Sequence, residues 1–365
     1  MGRKLECIER REVKTLRLKV DAENLGTPEA RAALDRAAEI LRGGGLVALP
    51  TETVYGLGAN ALDRAAVERI FEAKSRPAWD PVIVHVATTV MLDGLVEEIP
   101  DAARKLMEAF WPGPLTLLLR RSISVPDAVT AGRPLVGVRM PAHPVALELI
   151  RRAGVPVAAP SANRFGHVSP TTAEHVLDDL DGRIDAVVDA GPTMRGVEST
   201  VLDPIEMMIY RPGAVTAGQI AAVSGPVEVF RSNEPLRETP TGAMPSPGVG
   251  LKHYAPRARL VLVEARDETR NGDLGARLAG AASMERGERL GVMLPEGIVA
   301  AQEIAAAKIY PWGRWGAPET LAQGLYAGLR ALDAAGCTVI LCPLPPAEGI
   351  GAAIRDRLLK AGTRD

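Results

Sequence analysis

Alanines and leucines recur at helical spacing between residues 28 and 42 and stop at Gly43-Gly44-Gly45, a run that suits a helix C-terminus. The short apolar run Leu46-Val47-Ala48-Leu49-Pro50 predicts a buried strand, continued by Thr51-Glu52-Thr53-Val54-Tyr55-Gly56-Leu57-Gly58 into a turn that gathers hydroxyls and glycines. Asp63 is placed to cap a helix through Val67, Ile70 and Phe71 to Lys74, which Pro77 ends. Strands are predicted over 82–86, 116–119, 136–140, 155–159, 186–189 and 199–202, and helices over 101–110, 143–153 and 171–180. The last of these carries a capping box, Thr171 with Glu174. Mixing without strict alternation implies an α/β fold whose sheet has antiparallel parts.

Between 222 and 257 the periodicity gives way to Pro, Gly, Ser and charged residues, the composition of a linker. Regular order resumes with strand 259–264, helix 274–284, strand 290–294, helix 298–306, strand 307–310, helix 318–335, strand 338–342 and helix 349–361. Such alternation predicts a small three-layer domain on a parallel sheet. The expected division is therefore 1–221, a linker 222–257 and 258–365, in keeping with a 365-residue chain longer than one core usually serves. Gly349-Ile350-Gly351 opens the last helix, but no Gly-x-Gly-x-x-Gly follows the first strand, so no dinucleotide is inferred.

Composition narrows the class. With 47% hydrophobic and 24% charged residues the chain reads as globular. The N-terminus lacks an apolar signal core and no stretch has the length of a membrane span, which places the protein in the cytosol, away from membranes. Cys7, Cys337 and Cys342 are scattered and indicate neither a disulfide framework nor a zinc site. A net charge of -2 argues against a free-standing nucleic-acid binder, and the basic run 3–19 reads as a solvated face.

Several polar groups stand out from this apolar background. Lys74 and Arg76 lie two residues apart at a helix C-terminus, either as contacts to the helix dipole, worth about 0.3–1 kcal/mol, or as a polyphosphate clamp. No Walker sequence is present, so a nucleotide site must have another design. Pro160-Ser161-Ala162-Asn163 follows an apolar strand, as a turn or as a ligand site. Ser169-Pro170-Thr171-Thr172 reads as a helix cap, Gly196-Val197-Glu198-Ser199-Thr200 as a hydroxyl pair entering a strand, and Arg211-Pro212-Gly213 as a fixed cation. Together they suggest convergence on an anionic, hydroxyl-bearing ligand. Arg139, inside an apolar strand, needs a partner when buried, which a ligand carboxylate would supply; a lone strand His85 reads first as a satisfied core residue.

These segments, with Trp111-Pro112-Gly113-Pro114-Leu115-Thr116, Arg139-Met140-Pro141, Ser246-Pro247-Gly248 and Lys252-His253-Tyr254-Ala255-Pro256, resemble the YrdC-like threonylcarbamoyl-AMP synthases in order and spacing, in their long two-domain form with a Rossmann-like C-terminal domain. The resemblance implies conversion of L-threonine, bicarbonate or CO2 and ATP into threonylcarbamoyl-AMP and pyrophosphate, and a separate transferase complex, a transient partner, that passes the group to tRNA. It implies a tetrad of Lys74, Arg76, Ser161 and Asn163 around ATP, with Ser169, Arg211 and Tyr254 as further ATP contacts. Asp80 stands at a nucleotide contact where relatives are expected to carry Asn. Thr53, His85, Arg139 and Ser199 are implied to hold threonine. Mg2+ is expected with ATP, held by phosphates and water without a protein cage. The linker, which carries Tyr254, is expected to close over the nucleotide. Two rivals remain: a double-stranded RNA or tRNA-binding module, disfavoured by the near-neutral charge, and carbamoyl transfer to another acceptor. The hydrogenase-maturation relatives that do the latter carry acylphosphatase and zinc-finger segments absent here.

Overall fold

The computed structural model describes residues 14–230, 246, 254–264, 271–285, 287–299 and 302–362. Two sheets organise them. The first is built from β1 (Leu16–Lys19), β2 (Val47–Leu49), β3 (Gly56–Asn60), β4 (Ile83–His85), β5 (Leu115–Arg120), β6 (Leu135–Arg139), β7 (Val157–Ala158), β8 (Ala186–Asp189), β9 (Thr200–Asp203), β10 (Met208–Arg211) and β11 (Glu228–Val229). Their order is β1-β8-β2-β3-β7-β4-β6-β5-β9-β10-β11, with parallel and antiparallel neighbours. The mixed sheet expected from irregular alternation is therefore present.

Helices cover both faces, because successive strand residues point to opposite sides. Val47 and Leu49 pack with Leu34 of α1 (Pro28–Arg42) and, across the chain, with Leu149, while Ala48 joins the other cluster with Ile70 of α2 (Arg64–Lys74) and Leu106 of α3 (Asp101–Phe110). The short α4 (Asp127–Thr130) precedes β6, and α5 (Pro144–Ala153), α6 (Ala173–Leu180) and α7 (Ala217–Ser224) complete the unit. Caps are local: Asp63 accepts from the N–H groups of Ala65 and Ala66, as expected. The expected Thr171 cap is corrected to Thr172, whose hydroxyl accepts from the His175 N–H, because the Thr171 backbone is committed to Thr193 and the His175 ring. β7 is shorter than expected, since Pro156 and Pro160 flank it and cannot donate to a ladder.

The second sheet is wholly parallel, β12 (Arg259–Glu264), β13 (Leu290–Glu296), β14 (Lys308–Arg314) and β15 (Val339–Leu344), in the order β12-β15-β13-β14. It carries α8 (Asn271–Met284), α9 (Pro318–Ala334) and α10 (Gly351–Ala361). The helix expected over 298–306 reduces to one 3₁₀ turn, Gln302–Ile304, among the described residues; Gly297 at φ +86° reverses the chain just after β13, leaving little length before β14. Most of the linker expected over 222–257 lies outside the described residues, although 222–224 end α7 and β11 adds to the first sheet.

The two units pack directly on each other. Val54, Val168, Val197 and Ala214 of the first share one apolar cluster with Leu321, Leu325 and Ile354 of the second. Gly196 sits at a close approach of the two units. At φ +68°, a Cβ there would lie 2.2 Å from the Ala322 carbonyl oxygen of α9, so only glycine fits both the backbone and the space.

Candidate active site

A cleft of about 590 Å³, part of it open to solvent, lies across the middle of the first sheet. Its lining follows the strand order: Thr51, Thr53 and Gly56 by β3, Pro160 and Ser161 after β7, Ile83 and His85 on β4, Arg139 on β6, Ser199 before β9 and Arg211 at the end of β10. Segments scattered over more than 150 positions of sequence meet here because the sheet order is not the chain order.

One half is built by strands and the turn after β2. Arg139 is 3% exposed; its Nε donates to the Gly113 carbonyl at 3.1 Å and its Nη1 to Thr53 Oγ1 at 3.2 Å. The partner demanded by burial is already present, for Glu52 Oε1 lies 2.6 Å from Arg139 Nη2. The expected need for a partner is met within the protein by Glu52, which fixes the guanidinium while it still faces the cleft. His85 lies beside Arg139 across the β4–β6 ladder, and its Nδ1 has no protein hydrogen bond. Burial, reinforced by Arg139, lowers its pKa to about 3, so the ring is neutral at physiological pH. Ser199 Oγ meets Thr116 Oγ1 at 2.8 Å.

The Lys74-Ser75-Arg76 segment divides its two cations. Ser75 ends α2 in the left-handed conformation, φ 53°, and the chain turns there. Lys74 points behind the cleft wall, where its ammonium donates to the carbonyls of Ser161, at 2.5 Å, and Asn163. Burial, then the nearby Arg76, pushes its pKa well below the usual lysine range. Arg76 lines the cleft, held by the carbonyls of Asp80 and Pro81 and by the Asp80 carboxylate at 2.9 Å. Asn163 uses its amide N–H groups on the carbonyls of Arg164 and His167, which folds the loop after β7. Lys74, Asp80 and Asn163 are therefore supports of the wall, whereas Arg76 and Ser161 reach the cavity.

On the opposite side the second unit contributes. Glu198 lines the cleft and accepts hydrogen bonds from Ser169 Oγ at 2.7 Å, Tyr326 Oη at 2.8 Å and Arg357 Nε at 2.8 Å. Tyr254 stacks on Tyr326, ring centroids 5.8 Å apart, and the Arg357 guanidinium sits 5.1 Å over the Tyr254 ring. Arg357 also donates to the Pro212 carbonyl at 3.0 Å. Burial opposes ionisation of Glu198, but Arg357 and Arg211 outweigh it and bring its pKa to about 2. Arg211 donates to the Ser199 carbonyl at 2.9 Å and to Ser199 Oγ at 3.1 Å, linking this side to the first.

Of the residues singled out from sequence, Thr53, Arg76, His85, Arg139, Ser161, Ser199, Arg211 and Tyr254 line the cleft together, and Ser169 touches it through Glu198. Glu52, Thr116, Glu198, Tyr326 and Arg357 were not singled out. Glu52 and Glu198 sit inside quoted motifs, so acids within hydroxyl-rich turns were the available signal; nothing marked Tyr326 or Arg357, which lie on amphipathic helices of the other unit. Among the described residues no cluster of His, Cys, Asp and Glu is suited to a metal ion, and no helix is long and apolar enough to cross a membrane.

A mixed sheet with a cation- and hydroxyl-lined cleft, closed on one side by a parallel α/β unit, defines a two-domain enzyme that handles an anionic ligand. Comparison with known proteins sharpens the class. Residues 39–213 match the family model described as "Telomere recombination", the Sua5/YciO/YrdC family, and residues 215–363 match that of the threonylcarbamoyl-AMP synthase C-terminal domain. The threonylcarbamoyl-AMP synthase of Bacillus subtilis is 44% identical over 96% of this chain and 98% of its own length. That of Pyrococcus abyssi is 42% identical over 89% and 92%. The crystal structure of P. abyssi Sua5 complexed with L-threonine superposes with a TM-score of 0.84 at 39% identity, covering 95% of this chain and 98% of that one. The chain belongs to the threonylcarbamoyl-AMP synthases, in the long two-domain form, and is an enzyme of that nucleotidyltransferase class.

Proposed function

We propose that the strand-built half of the cleft holds L-threonine, with Arg139 and Thr53 on its carboxylate and His85 and Ser199 around its remaining polar groups. ATP occupies the other half, its phosphates met by Arg76, Ser161 and Arg211 and its remaining contact made by Tyr254, while Asn163 acts through the loop it folds and Ser169 through Glu198. Lys74 acts through the Ser161 and Asn163 carbonyls it holds, and Asp80 through Arg76.

The reaction has two steps. The threonine amine captures CO2, or bicarbonate with loss of water, as a carbamate. A carbamate oxygen then attacks the α-phosphorus of ATP, the bond to the β-phosphate oxygen breaks, and pyrophosphate leaves with threonylcarbamoyl-AMP as product. Positioning and charge neutralisation suffice for such a transfer, and no covalent nucleophile is needed. A neutral His85 with so low a pKa is a poor base, so it positions threonine and does not accept its proton. Magnesium would accompany ATP and supply further neutralisation of the phosphate charge beside Arg76 and Arg211. Of the nearby carboxylates, Glu198 lines the cleft and Glu52 and Asp80 lie behind its wall, each paired with an arginine. The adenylate passes to a separate transferase complex acting on tRNA, in the cytosol.

The observation that supports this reading is the juxtaposition of Arg139, Thr53, His85 and Ser199 with Arg76, Ser161, Arg211 and Tyr254 in one cleft. Its test is pyrophosphate release by the full chain with ATP, Mg2+ and bicarbonate, comparing L-threonine, L-serine and no amino acid. Release that depends on threonine is expected, and release indifferent to the amino acid defeats the reading.

A further inference from the structure

The first unit places an ionised, buried carboxylate, Glu198, in the wall of a cleft that otherwise presents cations and hydroxyls. Alone, that anion would repel a polyphosphate and compete with Ser199 for Arg211, whose charge already acts on it. Arg211 donates to Ser199, and Glu198 is met from across the domain boundary by Arg357 of α10 and Tyr326 of α9. Both are wholly buried. The contact is not incidental, because the same segment is anchored twice by glycines. Gly196 fits against the Ala322 and Gln323 backbone of α9, and a Cβ on Gly213 would lie 2.4 Å from the Ser199–Thr200 peptide.

We propose that Arg357 is a positioning residue of the nucleotide half of the cleft: by neutralising Glu198 it keeps Arg211 on Ser199, and with Tyr326 it fixes the Tyr254 ring. This rests on the assignment of that half to ATP and gives the C-terminal domain a stated task in the first domain's reaction. A buried ion pair broken on one side leaves an uncompensated charge, whereas removing both charges is far better tolerated. The pair therefore has a distinctive signature in double substitution.

The experiment uses the full chain and two readouts, MgATP affinity by calorimetry and threonine-dependent pyrophosphate release. In Arg357→Met the ATP dissociation constant and KM rise about tenfold or more, while threonine KM moves at most about threefold, since Ser199 keeps its Thr116 bond. Adding Glu198→Gln to Arg357→Met restores most of the ATP affinity. Tyr326→Phe, which removes one hydroxyl, weakens ATP by about threefold and serves if Arg357→Met does not fold. Unchanged ATP affinity in Arg357→Met or Tyr326→Phe, equal losses for ATP and threonine, or a double variant no better than the single overturns the proposal. Wild-type protein that binds MgATP but releases no pyrophosphate with threonine defeats the functional reading instead, and the calorimetric series still decides the role of Arg357.

Discussion

The two halves of the cleft are built in opposite ways. Around Arg139 every partner comes from the first domain: Glu52 and Thr53 from the turn after β2, Gly113 from the loop before β5, His85 from the adjacent strand. Around Glu198 the essential partners, Tyr326 and Arg357, come from a domain that begins beyond the linker, 128 and 159 positions away. On the proposed assignment, recognition of a small amino acid rests on a self-contained, strand-fixed lattice, while the polyphosphate side depends on docking of the second domain. The difference predicts that substitutions in the first half act on threonine alone, and that those in the second act on ATP and on domain docking together.

The largest effect is expected at Arg139. Arg139→Ala removes the cation assigned to the threonine carboxylate and strands Glu52, 2% exposed, without its counter-ion. Loss of a charged hydrogen-bonding partner costs about 10- to 100-fold in binding, and the orphaned buried charge a further ~3–5 kcal/mol of stability. Threonine KM should rise by that factor with ATP affinity nearly unchanged; a matching loss for ATP breaks the comparison. Arg139→Lys should rescue little, because a single ammonium cannot serve Gly113, Thr53 and Glu52 together.

Gly196→Ala probes the other half without touching a cleft side chain. The positive φ alone costs about 1 kcal/mol for alanine, and the 2.2 Å approach to Ala322 forces the domains apart or the loop to move. ATP affinity should fall with the thermal midpoint, and threonine affinity should fall less. Equal affinities for both substrates in a destabilised variant would show that docking and the nucleotide site are independent.

What the sequence disclosed follows the same division. The strands of the first half were legible because each is a short apolar run, and their odd members, Arg139 and His85, stood out against it. β1 and β11 were not legible, being largely exposed edge strands of ordinary polar composition. Arg357 and Tyr326 were invisible for a different reason. On an amphipathic helix a polar residue is expected to face water, and only the docked domain shows that these two face another core. Asp80 is intelligible only in place: as the counter-ion of Arg76 it has a structural partner that an Asn would meet without charge.

Acid titration separates the halves again, with a smaller effect. The His85 pKa, lowered by burial to about 3, lies below that of an unfolded histidine near 6.5, so the unfolded chain binds the extra proton first. Stability is full above about pH 6.5 and declines as pH falls, by at most ~1.4 kcal/mol per unit. His143 and His175, also lowered by burial, add to the same decline, and His85→Gln isolates its share. Glu198, with a pKa near 2 against an ordinary 4.5, stabilises above pH 4.5 and withdraws that contribution between 4.5 and 2. The thermal midpoint should therefore fall first through the histidines and only later through the interdomain acid. Glu198→Gln should flatten the second part of the curve and leave the first.

The smallest expected effect is the most selective. Ser169 is fully buried and its hydroxyl donates one 2.7 Å bond to Glu198 Oε1, the same oxygen that Tyr326 reaches at 3.0 Å. Ser169→Ala deletes that bond but leaves the carboxylate with Tyr326 and Arg357, so no buried charge is stranded. The loss should be about 1 kcal/mol, seen as a few-fold rise in ATP KM. Threonine KM should not move, because no atom of the Glu52–Arg139–Thr53 lattice touches Ser169. In Arg357→Met the same substitution should cost more, since the serine is then one of the two remaining donors to the anion, and a double-mutant cycle measures the excess. Additive losses would mean that Glu198 is held equally well by either domain, and the asymmetry between the two halves of the cleft would disappear.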